Sequence, residues 1–103
     1  MAEYQFEREC RTPYSEAYLI TDGDRRVGRV DLHFTPSIVY ATLCVTEGMT
    51  EEDIQELIYH HIDEEIVMSA DVARDDFIVS VYQGRETGEF SDEDFEDESD
   101  EED

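Results

Sequence analysis

Hydrophobic and polar positions alternate with a period of two through much of the first half of the chain. Over residues 27–34, Val30, Leu32 and Phe34 alternate with Arg29, Asp31 and His33, the pattern of a strand wet on one side. Residues 16–21 form the strand before it, and Asp22-Gly23-Asp24 joins the two. Its Asp-Gly dipeptide supplies the positive φ that a tight hairpin demands. Gly28 marks a bulge. Thr35-Pro36-Ser37 reads as the next turn, and residues 38–46, rich in β-branched and aromatic side chains, as a third strand. Within it Val39, Ala41, Leu43 and Val45 share one face, while Ile38, Tyr40, Thr42 and Cys44 share the other.

Past Thr46 the period changes. Gly48-Met49-Thr50 closes the strand, Thr50 caps a helix, and Glu51, Glu52 and Asp53 set negative charge at the positive end of its dipole. Ile54, Leu57, Ile58 and Ile62 recur at the spacing of one helical face, so the pattern predicts a helix over residues 51–68. A polar connection over 69–76 leads to a fourth strand at 77–82, which Gly84 and Gly88 release. Tyr4 and Phe6 place a further edge strand in the opening segment.

The expected architecture is α+β: an N-terminal segment 1–15, a single βββαβ domain 16–88 with a mainly antiparallel sheet and one helix on one face, and a disordered acidic tail 89–103. The helix joins the third strand to the fourth as a crossover, right-handed if those strands are parallel. The sheet's second face gathers Tyr18, Tyr40 and Tyr82. It is then either a homodimer or partner interface, which suits amphipathic aromatics, or a surface that Tyr4 and Phe6 fold over.

Charge changes the picture. Residues 89–103 read EFSDEDFEDESDEED, with eleven acids and no base, in a chain that has no lysine anywhere. The formal net charge is -23, and without the tail 19 acids still face seven arginines, a balance of -12. Phosphate backbones and anionic membranes repel such a body, so neither nucleic acid nor membrane is expected as a partner. No apolar run approaches the ~20 residues that span a bilayer, and the opening residues lack the basic and apolar regions of a secretory signal. The expected compartment is the cytoplasm. There Cys10 and Cys44 stay reduced, Cys44 as a packed thiol in an apolar strand, although sequence leaves a Cys10–Cys44 bridge open.

Candidate chemistry is sparse. His60-His61-Ile62-Asp63-Glu64-Glu65 is the only concentration of ligand types outside the tail, and an i,i+4 His–Glu pair with His33 as third ligand would suit a divalent ion. The HExxH order is absent. Counted at about 100° per residue from Ile54, His61 and Glu65 fall in the middle of the apolar stripe. The expected resolution is a satisfied, partly buried His61 on a helix that frays or leaves the sheet near Glu65. No nucleophile elbow, P-loop or dinucleotide fingerprint occurs. The sequence thus commits to no catalytic residue, metal site or cofactor; the expected class is non-enzymatic, and the alternative from another class is a metal-dependent enzyme using His33, His60 or His61.

In the tail, like charges repel and few apolar groups offset chain entropy. Phe90 and Phe95 within the acid run nevertheless make it a plausible ligand, with an aromatic ring anchoring in a groove while Asp92, Glu93 and Asp94 meet a basic rim. The expected partner is a basic protein surface, including one that the tail engages by mimicking a phosphate backbone. The rival is an acidic housekeeping or structural protein of a high-salt organism, whose charge keeps it soluble without a specific target.

The strand order, together with CVTEGMTEE (Cys44 to Glu52) entering an amphipathic helix, resembles the N-terminal domain of HicB-type antitoxins. That likeness implies a non-catalytic, oligomer-forming protein that neutralises a small basic RNA-cleaving partner. The acid tail stands where such proteins carry a DNA-binding domain.

Overall fold

Short, turn-rich connections between alternating segments favour pairing of chain neighbours, and the sheet is laid down in that way. The computed structural model describes residues 3–67 and 76–93. β1 (Tyr4–Thr12), β2 (Ser15–Asp22), β3 (Arg25–Phe34) and β4 (Ile38–Val45) form an antiparallel meander, and β5 (Asp76–Gln83) adds beside β4 in parallel. The result is a small α+β domain with a five-stranded, mainly antiparallel sheet and one helix. The opening segment is a full strand of this sheet, so one strand precedes the expected βββαβ order.

The β2–β3 hairpin turns through Gly23 at φ +63, a conformation a Cβ would disfavour. Its first pairs, Asp22↔Arg25 and Thr21↔Arg26, give way to Ile20↔Gly28, leaving Val27 as the extra residue of a bulge. Gly28 follows directly because β4 runs close there: a Cβ on it would lie 2.3 Å from the Cys44 carbonyl oxygen.

The connection from β4 to β5 is helical. Thr50 Oγ1 accepts from the Asp53 N–H at 3.1 Å, and Asp53 Oδ2 accepts from the Thr50 N–H at 3.3 Å, a reciprocal capping box. α1 (Glu51–Glu56) then passes into α2 (Leu57–Val67), where the winding widens to π-type turns. Leu57 and Ile62, five residues apart, are both fully buried. The wider turn aligns them on the sheet and moves His61 off the centre of the stripe. Ile66 is buried as well, so the helix stays on the sheet past Glu65 and does not leave it there.

The core lies between this helix and one sheet face. Ile20, Val30, Leu32, Val39 and Leu43 have no exposed surface, and burying each side chain of this kind stabilises the fold by roughly 1.5–3 kcal/mol. Gln83 Nε2 donates to the carbonyls of Thr46 and Met49 at 3.1 and 2.7 Å, which ties the end of β5 to the loop entering the helix. Among the described residues no helix is long and apolar enough to cross a membrane. Of the acidic tail 89–103 expected to be disordered, residues from Asp94 on, with Phe95, lie outside the described residues.

Candidate interaction surface

Strand register decides which side chains the helix covers. Val30 pairs with Leu43, and Ile20 with Gly28, on the covered face; the intervening pairs Leu19↔Arg29↔Cys44, Asp31↔Thr42 and His33↔Tyr40 face the other way. β5 continues both sets, with Phe77 and Val79 packed on the core and Ile78, Ser80 and Tyr82 on the open face. No described element covers that face. Tyr40 is 43%, Ile78 41% and Tyr82 62% exposed, so an aromatic and apolar surface meets solvent at the β4–β5 side.

Tyr18 is not part of it. A hairpin without a bulge would set Tyr18 opposite Arg29, but the extra residue Val27 shifts the partner by one, to Val30. Tyr18 therefore faces the helix side, where its ring meets Phe6 edge-on at 6.3 Å and its hydroxyl donates to Glu16, which Arg11 also approaches at 3.8 Å. Burial, reinforced by that bond to a carboxylate, pushes its pKa up to about 12. Tyr4 and Phe6 do not fold over the open face either: they lie in β1 and pack on the helix-covered side.

Where the open face meets residues 84–89 there is a groove of about 470 Å³. Leu19, Cys44 and Tyr82 give it an apolar floor, while Arg26, Arg29 and Arg85 line it alongside Glu9, Glu86 and Glu89. Arg29 reaches Glu9 at 3.6 Å and Asp31 at 3.5 Å, and Arg26 reaches Glu86 at 3.6 Å. All these partners are well exposed, so each pair adds little to stability and leaves the arginines available to exchange partners. The sequence pattern did not point to this cluster. Once the bulge is known, the row Leu19–Arg29–Cys44 would have indicated it.

Other expected residues fall in separate places. His61 is half-buried, its Nδ1 lies 2.8 Å from Glu65 Oε2, and its ring stands edge-on to Tyr4 at 5.0 Å. His60 is exposed beside Glu64 at 3.9 Å. His33 sits on the open face, so the sheet separates it from both. Among the described residues no three His, Cys, Asp or Glu side chains come together as a metal cluster. Cys44 is exposed on the open face, not packed, and Cys10 is exposed too; both are free thiols. β2 and β3 lie between their strands, and three strand spacings of about 4.8 Å put the pair beyond the reach of a disulfide. Phe90, Asp92 and Glu93 are exposed.

No protein-family model, curated protein or solved structure matches the chain.

Proposed function

We propose that the protein is a non-enzymatic binding module that engages a basic protein surface through its acidic C-terminal run and the open face of its sheet. The observation that carries this reading is the adjacency of the two. Tyr40, Ile78 and Tyr82 are exposed on the same side, and the acidic segment leaves the sheet directly after Gln83, adding Glu86, Glu89, Asp92 and Glu93 within ten residues. Aromatic anchors ringed by charge suit protein interfaces, and a chain at -23 attracts cationic partners at long range. Antitoxin-like neutralisation and phosphate-backbone mimicry are two forms of this one role. The test is affinity capture from native cytosol at two ionic strengths. Intact protein should retain basic proteins at low salt, and a variant lacking 89–103 should lose them; equal retention by both would sink the proposal.

A second reading, salt adaptation without a specific target, is favoured by one observation. Exposed acids also spread over the helix at Glu51, Glu52, Glu56, Glu64 and Glu65, away from the open face. Under that reading far-UV circular dichroism loses its native signal as salt is withdrawn, and removing the tail changes no partner.

A further inference from the structure

The sheet has two outer strands, and they are built differently. β1 carries Glu7, Arg8, Glu9 and Arg11 and is interrupted by a bulge between Arg8 and Cys10, both devices that discourage another strand from adding. β5 reads DFIVSVYQ: it pairs with β4 in unbroken register, contains no proline, and has Asp76 as its only charge.

Hydrogen-bond direction identifies what its outer side offers. The Gly84 N–H donates to the Val45 carbonyl at 2.9 Å, whereas the Thr46 N–H donates to Val27 on the opposite side of β4 at 3.0 Å. Alternation along a strand then turns the peptide groups of Ile78, Ser80 and Tyr82 toward β4 and those of Val79 and Val81 outward. The Phe77 N–H, also outward, is met by Asp76 Oδ1 at 2.8 Å. Among the described residues no strand lies beyond β5. Apolar side chains flank the edge on both sides, with Val81 40% exposed toward the helix and Ile78 and Tyr82 on the open face.

We infer that the outer edge of β5 is a strand-addition site for an extended segment of a basic protein partner. The partner's charge rests on the function proposed above; the mode of engagement does not. Main-chain bonds to Val79 and Val81 supply the attachment, and alternate side chains of the added strand lie against Ile78 and Tyr82 on one face and Val81 on the other. Charge complementarity selects a basic occupant over a second copy. Asp76 stands at one end of the edge and Glu86, Glu89, Asp92 and Glu93 follow the other, while a second copy would bring another -23 against the first.

The test uses the full chain and a synthetic ten-residue peptide alternating lysine with valine and threonine, followed by amide hydrogen exchange in NMR. Saturating peptide should slow exchange at Val79 and Val81 about tenfold or more, and leave Ser80 and Tyr82 nearly unchanged. Val81→Pro removes one outward donor and none directed at β4, and should weaken binding about tenfold. The same peptide N-methylated at alternate residues should lose binding equally, with the protein unaltered. Peptide binding that perturbs only residues 89–103 would overturn the edge site while leaving the tail's role standing. No binding anywhere on a folded chain would overturn both. Edge amides already protected before peptide is added, in a monomer or in a species of doubled mass by sedimentation, would assign the edge to this chain itself and overturn the inference.

Discussion

The two faces of the sheet are made from the same strands, residue by residue in alternation, yet they carry opposite instructions. On the covered face Ile20, Val30, Leu32, Val39 and Leu43 are sealed by Leu57, Ile62 and Ile66 from the helix. On the open face Arg29, Asp31, His33, Cys44 and Tyr82 sit one position out of phase with those residues and meet solvent or the groove. A one-residue step along any strand therefore exchanges a buried position for an exposed one. The bulge at Val27 shows how the division is set: it transfers Tyr18 from the open side to the packed side with no change of sequence at Tyr18 itself.

Substitutions on the two faces should separate cleanly. Leu43→Ala, at the centre of the covered face, is expected to cost about 2–5 kcal/mol in urea unfolding; a loss below about 1 kcal/mol would mean that the helix does not seal this face. Gly28→Ala forces a methyl against the Cys44 carbonyl, 2.3 Å from its ideal position, and should destabilise by about 1–3 kcal/mol as the strands move apart. Thr50→Ala removes the acceptor of the capping box and should cost about 1 kcal/mol, with Thr50→Ser restoring most of it.

Alkaline pH provides a graded test. Burial raises Tyr18 to about 12 and also raises Tyr4. The folded state then holds these protons more tightly than the unfolded chain, whose phenols titrate near 10. The stabilisation is complete below about pH 10 and is lost as pH climbs toward 12. Tyr18→Phe should flatten part of that decline in Tm against pH, and an unchanged slope would contradict the buried, carboxylate-bonded phenol. The smallest effect is expected on the open face: Ile78→Thr should shift stability by less than about 0.5 kcal/mol. A larger loss there would mean that the open face is packed in solution.

Most of the sheet was legible because alternation and turn chemistry are local. The Asp-Gly hairpin, the glycine beside the bulge, the Thr50 cap and the division of residues 38–45 between two faces all follow from side chains within a few positions of one another. Four features were misread or missed. Tyr18 changed sides because a bulge moves every pairing beyond it, and periodicity within β2 carries no record of that shift. His61 falls at the middle of the apolar stripe only if the turn holds 3.6 residues; packing of Leu57 and Ile62 on the sheet selects the wider winding. Cys44 was expected to be packed because its neighbours are apolar, although alternation already placed it with Tyr40 on the face that no helix reaches. The arginine-lined groove was hidden for the same reason as Tyr18, since it gathers residues from β2, β3, β4 and the segment after β5.

The parallel seam between β4 and β5 also orders events in time. Strands β1 to β4 join through brief reversals, so their pairing closes small loops, whereas Ile38 meets Asp76 only after 37 intervening residues have been gathered in. Loop-closure entropy grows with that separation, and distant contacts delay folding. The meander and nascent helix are expected to assemble first and the last strand to dock late, so that Val79→Ala speeds unfolding with little effect on the folding rate while Leu32→Ala slows folding. The reverse pattern in chevron kinetics would place the seam in the nucleus.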